Sequence, residues 1–272
     1  MLGRTLASTL SAAGHTVAVA DLPEVDITRP ETLAAAISGF RPDTLVHCAA
    51  MTKVEDCESN RDLAFLLNET GSRNVAVAAR SAGARLVGIS TDYVFDGKKS
   101  TPYLETDLTA PSTVYGMSKL AGERAIAEEL PDQHTIVRIA WLYGLGGPSF
   151  VHTMLKLGAD SQGEPLKVVD DQLGNPTSTL AVSRLLLWLL DHPVPGVLHG
   201  SCEGEASWYE FAGEIFRLRG LRRTIRPCRT EEFPRPAPRP ANSRLDKARL
   251  RSVGYTMPDW HRALEEFLSG KE

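Results

Sequence analysis

The sequence predicts an α/β protein: a parallel sheet covered by helices, with a smaller α/β part at the C-terminal end. Two observations lead there. Short apolar runs alternate with helical segments over the first half of the chain, the pattern of strand–helix–strand units. After Trp141 the alternation gives way to Gly-rich turns, short strands and helices at irregular spacing. The length, 272 residues, fits one large or two intimately joined domains with a substantial core.

The opening, Met1-Leu2-Gly3-Arg4-Thr5-Leu6, has the character of a helix, which the pattern places at about Leu6 to Ala13. In sheets of this kind a strand and a Gly-rich turn come before that helix, and its N-terminus receives a pyrophosphate. The expectation is that the first strand lies upstream of an incorrectly chosen start or is missing, which would leave neighbouring backbone groups unpaired.

Thr16-Val17-Ala18-Val19-Ala20 reads as a strand ending at Asp21. Further strands are expected at Thr44 to Ala50, Arg85 to Ser90 and His134 to Ile139, with helices at Pro30 to Ser38, Arg61 to Ala82 and Val114 to Glu129. Pro30 suits a first helical turn. Beyond Trp141 come a turn with Gly144, Gly146, Gly147 and Pro148, a helix near Phe150 to Leu157, and a strand from Leu166 to Asp170. A polar turn, Asp171 to Thr177, leads to a helix from Thr179 to Leu190, and further helices are expected at Ser207 to Arg219 and Pro258 to Leu268. The Arg- and Pro-rich segment Arg226 to Pro240 reads as a loop on the substrate side.

Composition narrows the function classes. With 42% hydrophobic residues, 24% charged and a net charge of −4, nothing suggests nucleic acid or an acidic membrane surface as a partner. The longest apolar run, Leu185 to Leu190, is far too short to span a bilayer. No leader with a basic end and a small-residue cleavage site is expected. Four cysteines, Cys48, Cys57, Cys202 and Cys228, lack metal-ligand spacing and read as reduced thiols of a cytoplasmic protein.

The chemistry concentrates between Ser90 and Lys119. Tyr115 and Lys119 are four residues apart and share a helix face. A cation there is expected to lower the pKa of the phenol, tuning Tyr115 as a general acid toward a carbonyl oxygen. Lys119 could also hydrogen-bond a ribose, and Thr91, a hydroxyl at a strand end, could hold the same oxygen. Tyr-x-x-x-Lys also occurs by chance; the Ser90 to Gly97 context favours the catalytic reading. Asp21 after a strand suits an adenosine ribose, although an ordinary turn aspartate fits equally. His47, inside an apolar strand, reads as a core histidine. Trp141 and Tyr143 fit either a sugar-facing wall or core packing.

Four stretches carry a family resemblance: Ser90-Thr91-Asp92-Tyr93-Val94-Phe95-Asp96-Gly97, Tyr115-Gly116-Met117-Ser118-Lys119-Leu120-Ala121-Gly122-Glu123, Arg138-Ile139-Ala140-Trp141-Leu142-Tyr143-Gly144 and Val169-Asp170-Asp171-Gln172-Leu173-Gly174-Asn175-Pro176-Thr177. With these the chain resembles the extended short-chain dehydrogenase/reductases, specifically the dTDP-4-dehydrorhamnose reductase family, over nearly its whole length. The resemblance implies a Rossmann-type doubly wound parallel sheet with a smaller C-terminal α/β substrate domain. Residues 1–144 and 177–200 would form the dinucleotide-binding domain and 145–176 and 201–272 the substrate domain.

By the same resemblance, Thr91, Tyr115 and Lys119 are the catalytic set. Gly3, Asp21, Asp26, Ile27, Ala50, Met51 and Thr52, with Tyr115 and Lys119, would contact NADH or NADPH. Val54, Thr91, Asp92, Tyr115 and Trp141 would face the sugar. The implied reaction reduces the 4-keto group of a nucleotide-linked 6-deoxysugar in dTDP-rhamnose biosynthesis. Members are often homodimers and some use magnesium at the interface. This chain departs from the pattern in three places: only Gly3 of the Gly-x-x-Gly-x-x-Gly turn is present, Ser149 stands for an asparagine, and His47-Cys48 replace Asn-Ala. Asp21 would repel a 2′-phosphate, so NADH is expected to serve at least as well as NADPH. Two other readings are a sugar-nucleotide epimerase or dehydratase of the same superfamily, with Asp92 as the extra acid or base, and a non-catalytic subunit resembling the regulatory subunit of methionine adenosyltransferase.

Overall fold

The computed structural model describes residues 1–160 and 164–270. Helix α1, Leu2–Ala12, buries Leu2, Leu6 and Leu10 along one stripe, at i, i+4 and i+8. It therefore starts earlier than its polar residues suggest. Helix α2, Pro30–Phe40, has Pro30 in its first turn, where a missing N–H costs nothing. Strand β1, Thr44–His47, is shorter than the expected Thr44 to Ala50.

One expectation fails here. Residues 16–20 enter no ladder and lie mostly at the surface, with Val19 71% exposed. An apolar, β-branched run becomes a strand only by pairing, and among the described residues β1 pairs on one side only, away from this segment.

Helices α3 (Val54–Ser59) and α4 (Arg61–Phe65) come next, then a π-helical turn, Leu66–Thr70, and α5, Gly71–Ala82. The sequence predicts one uninterrupted helix from Arg61 to Ala82; the wide turn divides it. Strand β2, Arg85–Thr91, is followed by α6, Val114–Glu129, and β3, His134–Ile139. Thr113 caps α6 by accepting a hydrogen bond from the Gly116 N–H at 3.0 Å.

The remaining elements, in order, are β4 (Leu142–Tyr143), α7 (Phe150–Gly158), β5 (Leu166–Val169), β6 (Leu173–Gly174), β7 (Thr177–Ser178), α8 (Thr179–Asp191), β8 (Gly196–His199), β9 (Ala206–Ser207), α9 (Trp208–Arg219), β10 (Ile225–Cys228), α10 (Ala248–Ser252) and α11 (Trp260–Leu268). Ser149 caps α7, a task that serine and asparagine share.

The main sheet runs β1-β2-β3-β8, all parallel. Alternate residues of its strands feed two different cores, as the pleat requires. Leu86 and Ile136 pack with Leu33, Val75, Ala76, Ala79 and Ile126 on the α2, α5, α6 face. Val87 and Val137 pack with Leu6, Leu185, Leu186 and Leu198 on the α1, α8 face. Helices thus cover both faces, which makes the sheet doubly wound.

The second core continues without a break into the C-terminal part, where it includes Phe211, Ile215, Trp260, Leu264 and Phe267. There β5 pairs in parallel with β10, from Leu166↔Ile225 to Val169↔Cys228. The expectation of a plain loop from Arg226 to Pro240 is thereby corrected at its start. Ile225–Cys228 forms a strand, with Pro227 tolerated because β10 is an edge. A short 3-10 turn, Thr230–Glu232, follows.

Candidate active site

Thr91 is the last residue of β2 and pairs with Ile139 at the end of β3. It lies at the carboxyl end of a parallel sheet, where open α/β folds bind ligands. Its hydroxyl donates to Asp92 Oδ1 at 3.1 Å, accepts from the Tyr93 N–H at 3.2 Å, and is a hydrogen-bond partner of the Tyr115 phenol. Tyr115 stands in the first turn of α6, with the Tyr93 ring edge-on at 5.5 Å.

The expected effect of Lys119 on Tyr115 does not hold. Burial pushes the phenol above its ordinary value, and the hydrogen bond with Thr91 only opposes this in part. The Lys119 ammonium is directed at the sheet, donating to the Ile89 carbonyl at 2.8 Å. Burial holds it down to about 8, with Glu123 and Cys48 acting the other way. Asp92, also buried, is pushed up to about 6 by desolvation, against hydrogen bonds from Ser243 and Thr91.

Under Lys119 lies a buried ion pair. Arg138 donates from Nε to Glu123 Oε1 at 2.9 Å and from Nη2 to Oε2 at 2.7 Å, and Ser90 donates to Glu123 Oε1 as well. Arg138 also sits over the Phe95 ring, 5.1 Å from its centroid.

The π-helical turn supplies a residue that the sequence reading did not single out. Asn68, fully buried, accepts from the Met51 N–H at 2.8 Å and donates to the Met51 carbonyl at 3.1 Å and to Ser118 Oγ at 2.9 Å. It ties the segment after β1 to α6 beside Tyr115. A signal was available: Asn68 falls on the stripe with Ala64, Ser72, Val75 and Ala79, where an apolar residue is the norm.

The other expected site residues fall into three groups. Ala50, Met51, Thr52 and Val54 line the segment that leaves β1, and the Cβ position of Gly3 in α1 lies 3.9 Å from Cys48 Cβ beside them. Ile27 packs against Gly71 of α5. Asp21 and Asp26 follow the unpaired 16–20 segment. Asp21 is exposed and accepts from the Leu22 N–H. Asp26 accepts from the N–H and hydroxyl of Thr28, which hold its carboxyl below the usual range.

His47 is a core histidine, its ring 3.1 Å from Ser72 Oγ, and burial pushes its pKa down to about 3. Tyr143 is also core, packed against Phe211 and Phe267. Trp141 is different. It follows β3 with a positive φ of 49°, keeps part of its ring exposed, and stacks on Trp208 with centroids 3.5 Å apart and planes 9° apart. Trp208 Nε1 donates to Gln172 Oε1 at 3.1 Å, and Gln172 donates to Thr230 at 3.0 Å. The Gln172 stretch thereby braces the indole pair from the smaller α/β part.

Among the described residues no group of three or more His, Cys, Asp or Glu side chains could hold a metal ion, and no helix is long and apolar enough to cross a membrane.

This geometry has close relatives. The chain is 42% identical over 273 residues, 98% of its length and 89% of the relative's, to a dTDP-4-dehydrorhamnose reductase from Streptomyces griseus. A solved dTDP-4-dehydrorhamnose reductase from Clostridium acetobutylicum superposes with a TM-score of 0.94 at 42% identity, covering 99% of this chain and 95% of that one. A second, from Bacillus anthracis and in complex with NADP, gives 0.93 at 39% identity, covering 100% and 96%. The family model described as the RmlD substrate binding domain matches residues 1–272. The chain therefore belongs to the RmlD family, that of the dTDP-4-dehydrorhamnose reductases.

Proposed function

We propose that this chain reduces the 4-keto group of a nucleotide-linked 6-deoxysugar, with NADPH or NADH, in dTDP-rhamnose biosynthesis. The observation that carries the reading is the meeting of Thr91, Tyr115 and Lys119 at the carboxyl end of β2 in a member of this family.

The surroundings suit a dinucleotide. The first turn of α1 has backbone N–H groups with no side-chain cap and an exposed Gly3, a donor set that fits a pyrophosphate. Lys119 uses one donor on Ile89, which leaves two for a ribose. When bound, the reduced nicotinamide supplies the hydride. Tyr115, kept protonated by burial, donates its proton to the C4 oxygen as charge develops there. The Thr91 hydroxyl holds that oxygen, and Lys119, anchored on the Ile89 carbonyl, holds the ribose beside it. Trp141, with Val54 and Asp92, faces the sugar.

In this reading residues 1–144 and 177–200 hold the cofactor and 145–176 and 201–272 the sugar. The protein works in the cytoplasm as a homodimer, needing neither nucleic acid nor membrane; its unpaired thiols support that compartment.

The test is oxidation of NADH and of NADPH in the presence of a dTDP-4-keto-6-deoxysugar. Expected are turnover with both, NADH at least as effective because of Asp21, and a loss of about 100-fold or more in kcat for Tyr115→Phe. Absence of turnover with either cofactor would sink the proposal.

A further inference from the structure

We propose that the buried Glu123–Arg138 pair is a positioning device for Lys119. The Glu123 carboxylate keeps the lysine charged and aimed at the end of β2, and Arg138 fixes the carboxylate in place. The proposal rests on the reductase reading only for its consequence in catalysis.

The geometry carries it. Lys119 and Glu123 are one helical turn apart on α6, so their side chains are neighbours on the face turned to the sheet. Both are 7% exposed and Arg138 is 4% exposed. The fork of Arg138 holds both carboxylate oxygens, and Ser90 donates to one of them. Ser90 follows Ile89, whose carbonyl receives the Lys119 ammonium. Two consecutive residues of β2 thus bind the lysine and its counter-charge. A cavity of about 10 Å³ lies among His47, Ser72, Ser90, Lys119 and Glu123. That is room for one water at most, so bulk solvent does not screen the pair.

Among the described residues, the charged or titratable groups facing Lys119 come from three elements. On α6 they are Tyr115 and Glu123. From β1 and the residue after it come His47, kept neutral by burial, and Cys48, whose thiol burial pushes up to about 11. From β3 comes Arg138, behind Glu123. Among the described residues Glu123 is therefore the one anion near the ammonium at neutral pH. A stability role alone does not explain such a pair, because buried ion pairs are often replaceable by apolar residues without loss.

The test is an NMR titration of the full chain labelled at lysine, without substrate, with the Lys119 signal assigned from Lys119→Met. In Glu123→Gln the Lys119 midpoint should fall by about one pH unit or more, since an unpaired Arg138 remains. In Arg138→Gln it should rise or stay, because the carboxylate is left unneutralised. A fall in Glu123→Gln without a fall in Arg138→Gln cannot come from general loosening of the core. If Glu123→Gln does not fold, Glu123→Met/Arg138→Leu replaces the pair by apolar residues of similar size, and the midpoint should again fall. Where turnover is measured, the alkaline limb of kcat should move with the NMR midpoint. Equal or same-direction shifts in the single variants, or an unmoved midpoint in the double variant, would overturn the proposal. A protein without reductase turnover that still shows these shifts would overturn the reductase reading and leave the positioning role standing.

Discussion

The backbone carbonyl of Asn68 faces the Cα of Gly122 so closely that a Cβ on Gly122 would lie 2.1 Å from the oxygen. The π-helical turn and α6 can approach this closely only because residue 122 has no side chain, and that approach puts the Asn68 amide within reach of Ser118 and Met51. Replacing a glycine inside a helix by alanine ordinarily stabilises by about 0.5–1 kcal/mol. Here Gly122→Ala should instead destabilise by about 1–3 kcal/mol through overpacking. Gly39 in α2, with nothing within 4 Å of its Cβ position, is the control, and Gly39→Ala should stabilise. Urea denaturation of the two variants reads both signs.

His47 and His199 are buried, and desolvation pushes each down to about 3 from 6.5. The unfolded chain takes up both protons near pH 6.5, whereas the folded chain refuses them until about pH 3. Stability from these sites is therefore complete above about pH 6.5 and drains away as the pH falls toward 3. Each site contributes a slope of about 1.4 kcal/mol per pH unit between those limits. His47→Asn should remove one such slope between pH 6 and 4, measured as denaturation free energy against pH. An unchanged slope would count against a neutral buried imidazole.

Gly174 lies so close to the Trp141 indole that a Cβ there would sit 2.3 Å from Cε2. Gly174→Ala should push Trp141 off Trp208. Two stacked indoles give a coupled band in far-ultraviolet circular dichroism, and the variant should lose it. KM for the sugar nucleotide should rise about tenfold or more, with kcat affected less, because the wall and not the proton donor has moved. A retained band with unchanged KM would show that the stack does not hold Trp141 against the sugar.

How far these relationships could be read in the sequence depends on their reach along the chain. Strand β3 and helix α6 have the expected bounds residue for residue, because their patterns are local and their neighbours are present. Tyr115 and Lys119 were legible for the same reason, as one turn of one helix. The Thr16–Ala20 run has the composition of a strand, but pairing is a property of two segments and composition reports one. The π-helical turn was hidden because a helix stripe shifts by only one residue there. Glu123 and Arg138 each stand in a stretch with family character, yet their pairing joins a helix to a strand and has no periodicity to announce it. The direction of the Tyr115 shift was misjudged because spacing shows a nearby cation, while burial, the larger effect, is fixed only by packing.

The apolar core on the α1, α8 side runs unbroken from Leu2 and Val137 to Phe211 and Trp260. In evolutionary terms the C-terminal part is therefore not an exchangeable module. Exchanging the C-terminal part for another would leave the shared core, from Leu185 and Val137 to Phe211 and Trp260, with mismatched partners.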